Sequence, residues 1–263
     1  MVLPDGIIWI PNGAIKQEKR LSGGSYGETH TCFVRGSPFF DKCILYCVKQ
    51  YKAHSQTIVT TERDREILAS RVRHLGVVEA IGVSIDSPPV ALFPYWNGGS
   101  FQSFSLLIEK EKRNSFLSAG EIRRIEIFRK NFSLICSALW TTLEAVHSAD
   151  ILHCDLHIGN IFFHFEGDKV YVGLGDWGMA QTVEMAYSAL GHKWHKKDTD
   201  QFGHIAPELK APKPIVDQPY TKATNVYALG FVIRHMLSRN ALITQSIDYA
   251  QLQALKNSIA WSL

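Results

Sequence analysis

Apolar residues follow two rhythms along this chain, and the change between them falls near Asn97, Gly98 and Gly99. Ahead of that break they come in short runs bounded by turn residues. Residues 6–10 predict a short strand with no identifiable partner, and the polar residues 11–20 a linker. Residues 29–34 are rich in β-branched and aromatic side chains, Gly36, Ser37 and Pro38 form a turn, and residues 43–51 are apolar and β-prone. This reads as a hairpin. Thr60 or Thr61 can cap a helix running to about His74, with Ile67 and Val72 facing inward. Residues 77–85 and 90–93 predict two more strands around a turn at Asp86, Ser87, Pro88 and Pro89. Beyond the break the helical rhythm takes over. Ile125, Phe128, Phe132, Ile135, Leu139, Leu143 and Val146 recur at three- and four-residue spacing, which predicts one long amphipathic stretch over 121–148. Short strands follow at 161–165 and 170–174, then a polar surface loop over 179–205, a buried helix over 224–238 and a short helix over 248–255. The expected class is α+β: a mostly antiparallel sheet with one helix, then a mainly helical part.

Composition narrows the picture without redirecting it. The chain has 263 residues, room for one large domain or two lobes. Its 46% hydrophobic content is that of a packed protein. The net charge of +3, from 28 basic and 25 acidic residues without a dense basic run, argues against nucleic acid as a partner. The charged run Glu109 to Arg113 reads as a solvated face. Five cysteines, Cys32, Cys43, Cys47, Cys136 and Cys154, have no disulfide-framework spacing, so a reducing compartment is expected. The first residues lack a basic region, and Pro4, Asp5 and Pro11 interrupt them, unlike a secretory signal. The longest apolar run, 132–146, contains Glu144, Ser133 and Ser137 and is too short and polar to span a bilayer. The expectation is a soluble cytoplasmic protein.

The chemistry gathers around residues 151–161 (ILHCDLHIGNI). Asp155 can accept a hydroxyl proton, and Asn160, five residues on, can bind a metal. Asp176, in the turn Gly175-Asp176-Trp177-Gly178, follows 16 residues later as a second metal ligand. A base and two oxygen ligands in this order are the working parts of phosphoryl transfer. Upstream, residues 21–27 (LSGGSYG) form a glycine-rich turn whose backbone N–H groups can approach phosphate oxygens. Lys49 ends an apolar run and needs an anion, which Glu66 or a nucleotide phosphate could supply.

These motifs resemble the eukaryotic protein-kinase domain, in order from about Leu21 to Ser238. Residues 21–27 look like its Gly-rich loop, with Ser22 at the first glycine position. Residues 46–49 (YCVK) look like the strand carrying the phosphate-binding lysine, and Glu66 like its helix partner. Residues 92–100 (LFPYWNGGS) resemble the hinge, 153–160 (HCDLHIGN) the catalytic loop and 176–178 (DWG) the magnesium-binding turn. Residues 206–208 (APE) match the end of the activation segment, and 227–230 (YALG) the start of the central buried helix. The resemblance implies a bilobal fold: an extension over 1–20, an N-lobe over 21–95, and hinge and C-lobe over 96–263. It implies ATP and Mg²⁺ as cofactors and a protein as substrate. Adenine would lie between the lobes, with the Pro94 carbonyl and the Trp96 N–H at its polar edge, Phe93 behind it and Phe162 beneath it. The backbone of Ser22, Gly23, Gly24, Ser25, Tyr26 and Gly27 would cover the phosphates. Lys49, held by Glu66, would contact them; Asn160 and Asp176 would hold Mg²⁺; and Asp155 would be the catalytic base.

The departures keep alternatives open. Cys154 stands where the family has an arginine that binds an activation-loop phosphate, which implies activity independent of that modification. Thr182, Ser188 and Thr199 are the hydroxyls of that loop. His157 replaces a γ-phosphate-binding lysine in the catalytic set. Asn225 replaces an aspartate that ties the catalytic loop, and an amide can still accept one such hydrogen bond. His192, His195, His204 and Cys154 fit no closed zinc spacing. Little chain follows the buried helix, so the C-lobe reads as shortened and a partner could complete it. A Ser/Thr protein kinase, a kinase-shaped binding module and a small-molecule phosphotransferase all remain compatible with these residues.

Overall fold

The computed structural model describes residues 6–23, 27–52, 63–84, 86, 88–187, 203–210 and 219–239. The Thr60/Thr61 cap and the helix over 248–255 lie outside the described residues. The chain forms two compact units, Met1–Trp96 with Gly175–Ala180, and Asn97–Leu174 with Gln181–Leu263.

The first unit is built on a six-stranded sheet of order β1-β5-β6-β4-β3-β2. Its strands are β1 (Ile8–Trp9), β2 (Ile15–Gly23), β3 (Gly27–Val34), β4 (Tyr46–Tyr51), β5 (Gly82–Ser84) and β6 (Val90–Pro94). The β3–β4 hairpin forms as the sequence predicts, with Thr29 opposite Lys49 and Gly27 opposite Tyr51. Side chains alternate across a strand. Tyr46 and Val48 therefore join Ile10, Cys32, Val34 and Leu92 on one face. Tyr51 joins Ile7, Ala80, Val83 and Phe93 on the other, against which Cys47 and Ile67 pack. Lys49 shares the parity of Cys47 and Tyr51, which sends its ammonium to the helix-covered face.

Several local expectations change. Residues 11–20 are not a linker: a 3₁₀ turn at Asn12–Ala14 leads into β2, which pairs antiparallel with β3. As an edge strand β2 is exposed along almost its whole length, so it carries the polar sequence of a loop. The partner of β1 is β5, in parallel register with Ile8 opposite Gly82. Ile10 packs so closely that a Cβ on Gly82 would lie 2.4 Å from its Cδ1. The helix α1 (described over 63–68) ends well before His74, passing through a 3₁₀ turn at Ala69–Arg71. Val72 is buried in extended conformation, so the chain reaches the core by leaving the helix. Among the described residues of the strand expected over 77–85, Gly82–Ser84 form β5 and Val77 makes an isolated bridge.

In the second unit, α2 (Phe101–Lys112) was not foreseen as a separate helix. Ser100 caps it, and Phe101, Phe104 and Ile108 bury one face at helical spacing. The expected single stretch over 121–148 is two helices, α3 (Ala119–Lys130) and α4 (Phe132–Ser148). Ser118 and Glu121 form a capping box on α3. Asn131 ends it by donating its side-chain amide to Ile127 O at 2.8 Å. Strands β7 (Gly99–Ser100), β9 (Ile161–Glu166) and β10 (Lys169–Leu174) form one small sheet, and β8 (Ile151–Leu152) and β11 (Gln181–Thr182) another. Phe101, Phe104, Phe128, Phe163 and Phe165 interlock beneath the first, with ring centroids such as Phe104–Phe128 at 5.2 Å. Part of the expected loop over 179–205 is regular, as β11 and the short α5 (Val183–Tyr187). Ser188, His192, His195 and Thr199 lie outside the described residues. A 3₁₀ turn, Pro207–Lys210, precedes α6 (Lys222–Arg239), the expected buried helix. Among the described residues no helix is long and apolar enough to cross a membrane.

His147, near the end of α4, adds a pH dependence. Its Nε2 is buried without a hydrogen-bond partner among the described residues. Burial, and then the nearby Lys222 ammonium, pushes its pKa down to about 4 from an ordinary 6.5. The unfolded chain therefore binds a proton that the folded one refuses, and stability is lost as pH falls from 6.5 toward 4. His147→Phe is expected to remove about 2 kcal/mol of that loss, after discounting for partial exposure, in denaturation curves taken at pH 7 and pH 4.5.

Candidate active site

The first unit brings Lys49, Glu66 and Asp176 together. Lys49 Nζ lies 2.6 Å from Glu66 Oε1 and 2.6 Å from Asp176 Oδ1. Glu66 is fully buried, and its second oxygen accepts the Trp177 N–H at 2.9 Å. Asp176 adopts φ 61°, a left-handed conformation that aspartate tolerates better than most residues, and Trp177 beside it is fully buried. The Tyr51 ring lies beneath the ammonium at 5.4 Å. Burial raises the Glu66 carboxyl above its ordinary value against the attraction of Lys49. Burial also lowers the Lys49 ammonium, but the Asp176 and Glu66 carboxylates outweigh it and hold the group well above an ordinary lysine. One cation thus stays charged between two carboxylates.

The glycine-rich turn is described at its ends. Ser22 pairs with Thr29 and Gly23 with Glu28. Gly27 is buried, and a Cβ there would lie 2.5 Å from Gln50 O, so the close strand approach requires glycine. Gly24, Ser25 and Tyr26 lie outside the described residues. Phe93 is 8% exposed, within the apolar cluster around Tyr51 and Val83. Pro94 is exposed at the end of β6, and Trp96 is half-buried. Phe162, in the second unit, is half-buried on β9 opposite Ser100.

The second unit assembles the loop after β8. Cys154 has φ 64°, and its N–H donates to Asn225 Oδ1 at 3.1 Å. Asn225 is buried on α6 and uses its Nδ2 to donate to Thr221 O at 3.3 Å, a bond that an aspartate could not make. The Cys154 side chain is 5% exposed, and its Sγ accepts from Gln181 Nε2 at 3.4 Å. The Asp155 N–H donates to His153 Nδ1 at 3.4 Å. Asn160 Nδ2 donates to Asp155 O at 2.8 Å and lies 3.4 Å from Asp155 Oδ2. His157 Nε2 is 3.6 Å from that same oxygen. The Gln102 N–H donates to Ile158 O at 3.0 Å and ties α2 to the loop. Asp155, His157 and Asn160 therefore converge, as do Lys49, Glu66 and Asp176. Gln181 and the contribution of Tyr51 had no sequence signal: neither lies in a motif, and each acts through a partner distant in the chain.

Asn225→Leu would remove the acceptor of the Cys154 N–H. It is expected to cost about 2 kcal/mol in chemical denaturation, whereas Asn225→Asp keeps the acceptor and costs less.

A model of the protein kinase domain matches residues 15–261. Serine/threonine-protein kinase PknD of Chlamydia caviae is 31% identical over 186 residues, 67% of this chain and 19% of that protein. The Raf homolog serine/threonine-protein kinase of Caenorhabditis elegans is 27% identical over 229 residues, 87% of this chain and 25% of that protein. Mitogen-activated protein kinase 4 of Mus musculus is 30% identical over 118 residues, 44% of this chain and 19% of that protein. The chain thus spans only 19% to 25% of the length of these relatives. With the motif residues gathered as described and the family model covering nearly the whole chain, this chain belongs to the protein kinase domain family.

Proposed function

We propose that this domain transfers the γ-phosphoryl group of ATP, with Mg²⁺, to a protein hydroxyl, serine or threonine in preference to tyrosine. The observation that carries the reading is the Lys49 ammonium bridging two carboxylates at 2.6 Å each, a half-buried cation with the charge to neutralise nucleotide phosphates. Lys49 binds the phosphates while Glu66 and the Trp177 N–H keep the ammonium in place. Pro94 and Trp96 offer main-chain groups to adenine. Asp155 orients the acceptor hydroxyl and takes its proton, and Asn160 steadies the loop through the Asp155 carbonyl. Two PknD and Raf-type relatives carry serine/threonine kinase in their names, which supports that acceptor class.

The Asp176 carboxylate and the Asn160 amide oxygen are hard donors of the kind Mg²⁺ prefers, and Asn160 turns its Nδ2 toward Asp155. Each by its chemistry would suit the ion, which when bound would supply positive charge against the phosphates. Activity independent of activation-loop phosphorylation is supported by Cys154: the family's arginine position holds a buried thiol bonded to neutral Gln181.

The test is incubation of the purified protein with labelled ATP and Mg²⁺, with itself or a generic basic protein as acceptor. Phosphate on serine or threonine is expected. Nucleotide binding without transfer would favour a binding module, and transfer to choline or an amino sugar but not to protein would favour a small-molecule kinase.

A further inference from the structure

His157 and His204 come from distant stretches of the chain, yet their rings lie 5.5 Å apart at 47°. His157 is fixed on its other side by the loop itself. The Gly159 N–H donates to its Nδ1 at 3.0 Å. That nitrogen is then an acceptor, and the ring proton of the neutral imidazole sits on Nε2. Nε2 is the atom 3.6 Å from Asp155 Oδ2. A Cβ on Gly159 would lie 2.7 Å from His157 Cε1, so glycine alone allows the backbone this near the ring. His204 packs in turn against Phe231 of α6, with centroids 6.3 Å apart.

We propose that His204 is a positioning residue for phosphoryl transfer: it packs against His157 and keeps the Nε2–H of that ring directed at the Asp155 carboxylate. The inference rests on the phosphotransfer reading above. The stretch just before Ala206 would then set the orientation of the base through the His157 ring. At 3.6 Å the Nε2–Oδ2 contact is longer than a hydrogen bond. Catalytic hydrogen bonds often shorten only when substrate binds, and a ring already facing its acceptor needs little rearrangement to do so. Asn160 Nδ2 lies 3.4 Å from the same oxygen, so two donors converge on Oδ2 and turn the carboxylate about its Cβ–Cγ bond. Without His204 the His157 ring would lose the neighbour that limits its rotation and would leave its Gly159 bond for part of the time, which frees Nδ1 to carry the proton.

A double-mutant cycle on the full chain tests this. His204→Ala is expected to lower kcat about tenfold with the KM for ATP unchanged. His204→Phe, which restores a ring, should return most of the rate. His157→Leu combined with His204→Ala should be no slower than His157→Leu alone, since the second residue acts through the first. Long-range ¹H–¹⁵N spectra of the imidazoles give a readout independent of activity. The wild type should show His157 as the Nε2–H tautomer, and His204→Ala a mixture of tautomers. Additive losses in the cycle, or a His157 spectrum untouched by His204→Ala, would overturn the inference whether or not the wild type transfers phosphate. A shifted spectrum in a wild type that transfers none would leave the packing standing and remove its catalytic consequence, along with the functional reading.

Discussion

Asp155→Asn is expected to lower phosphoryl transfer by at least about a thousandfold without disturbing the fold. The side chains match in size, and most of the contacts that hold the loop are backbone ones. The Asp155 N–H goes to His153 Nδ1, and its carbonyl accepts Asn160 Nδ2 at 2.8 Å. Neither bond involves the carboxylate. What the amide cannot do is take a proton from the acceptor hydroxyl, because its nitrogen is a donor and its oxygen a weak base. Nucleotide binding should persist, since Lys49, Glu66 and Asp176 are untouched. Labelled-ATP transfer and nucleotide affinity, measured on the same preparation beside its denaturation curve, check all three parts. Transfer within tenfold of the wild type would remove Asp155 from the role of base.

Lys49→Met is expected to abolish ATP-dependent transfer and also to cost about 3 kcal/mol of stability. The second effect comes from the environment of Glu66, which has no exposed surface. With the ammonium gone, its buried carboxylate would keep only the Trp177 N–H. Removing one partner of a buried pair leaves an uncompensated charge, whereas replacing both by apolar groups is often neutral. The double variant Lys49→Met, Glu66→Leu should therefore recover most of the lost stability and none of the activity. Thermal unfolding separates the outcomes: the single variant should melt roughly 10 °C below the wild type, the double variant close to it. Equal melting of the single and double variants would mean that Glu66 is not held by Lys49. Glu28 and Arg20, an exposed pair at 3.0 Å on β2 and β3, provide a contrast, since an ion pair in water contributes little.

Much of the site was legible because its chemistry is local. Asp155 and Asn160 are five residues apart, and a short loop can bring them together without help from the rest of the chain. The hairpin that carries Lys49 was equally readable, since two β-prone runs flank a turn at Gly36, Ser37 and Pro38. Elements were misjudged where composition and position disagree. β2 reads as a linker because an edge strand can be polar on both faces and still satisfy its backbone through β3. α3 and α4 read as one helix because the apolar spacing runs on through Asn131, where a side-chain amide closes the first helix. α2 was obscured by its charged end, Glu109 to Arg113, although Phe101, Phe104 and Ile108 carry the helical period.

By itself, then, the sequence determined the α+β class, the hairpin that carries Lys49, and the residue types able to move a phosphoryl group. These depend on neighbours within a few positions, where backbone geometry is nearly fixed. Only the tertiary structure decided that Glu66 also accepts the Trp177 N–H, that Gln181 meets the Cys154 thiol, that β1 pairs with β5, and that His204 lies against His157. Each of those contacts joins residues separated by long stretches of chain, and no local pattern encodes such a pairing. It follows from which apolar faces can be buried at once.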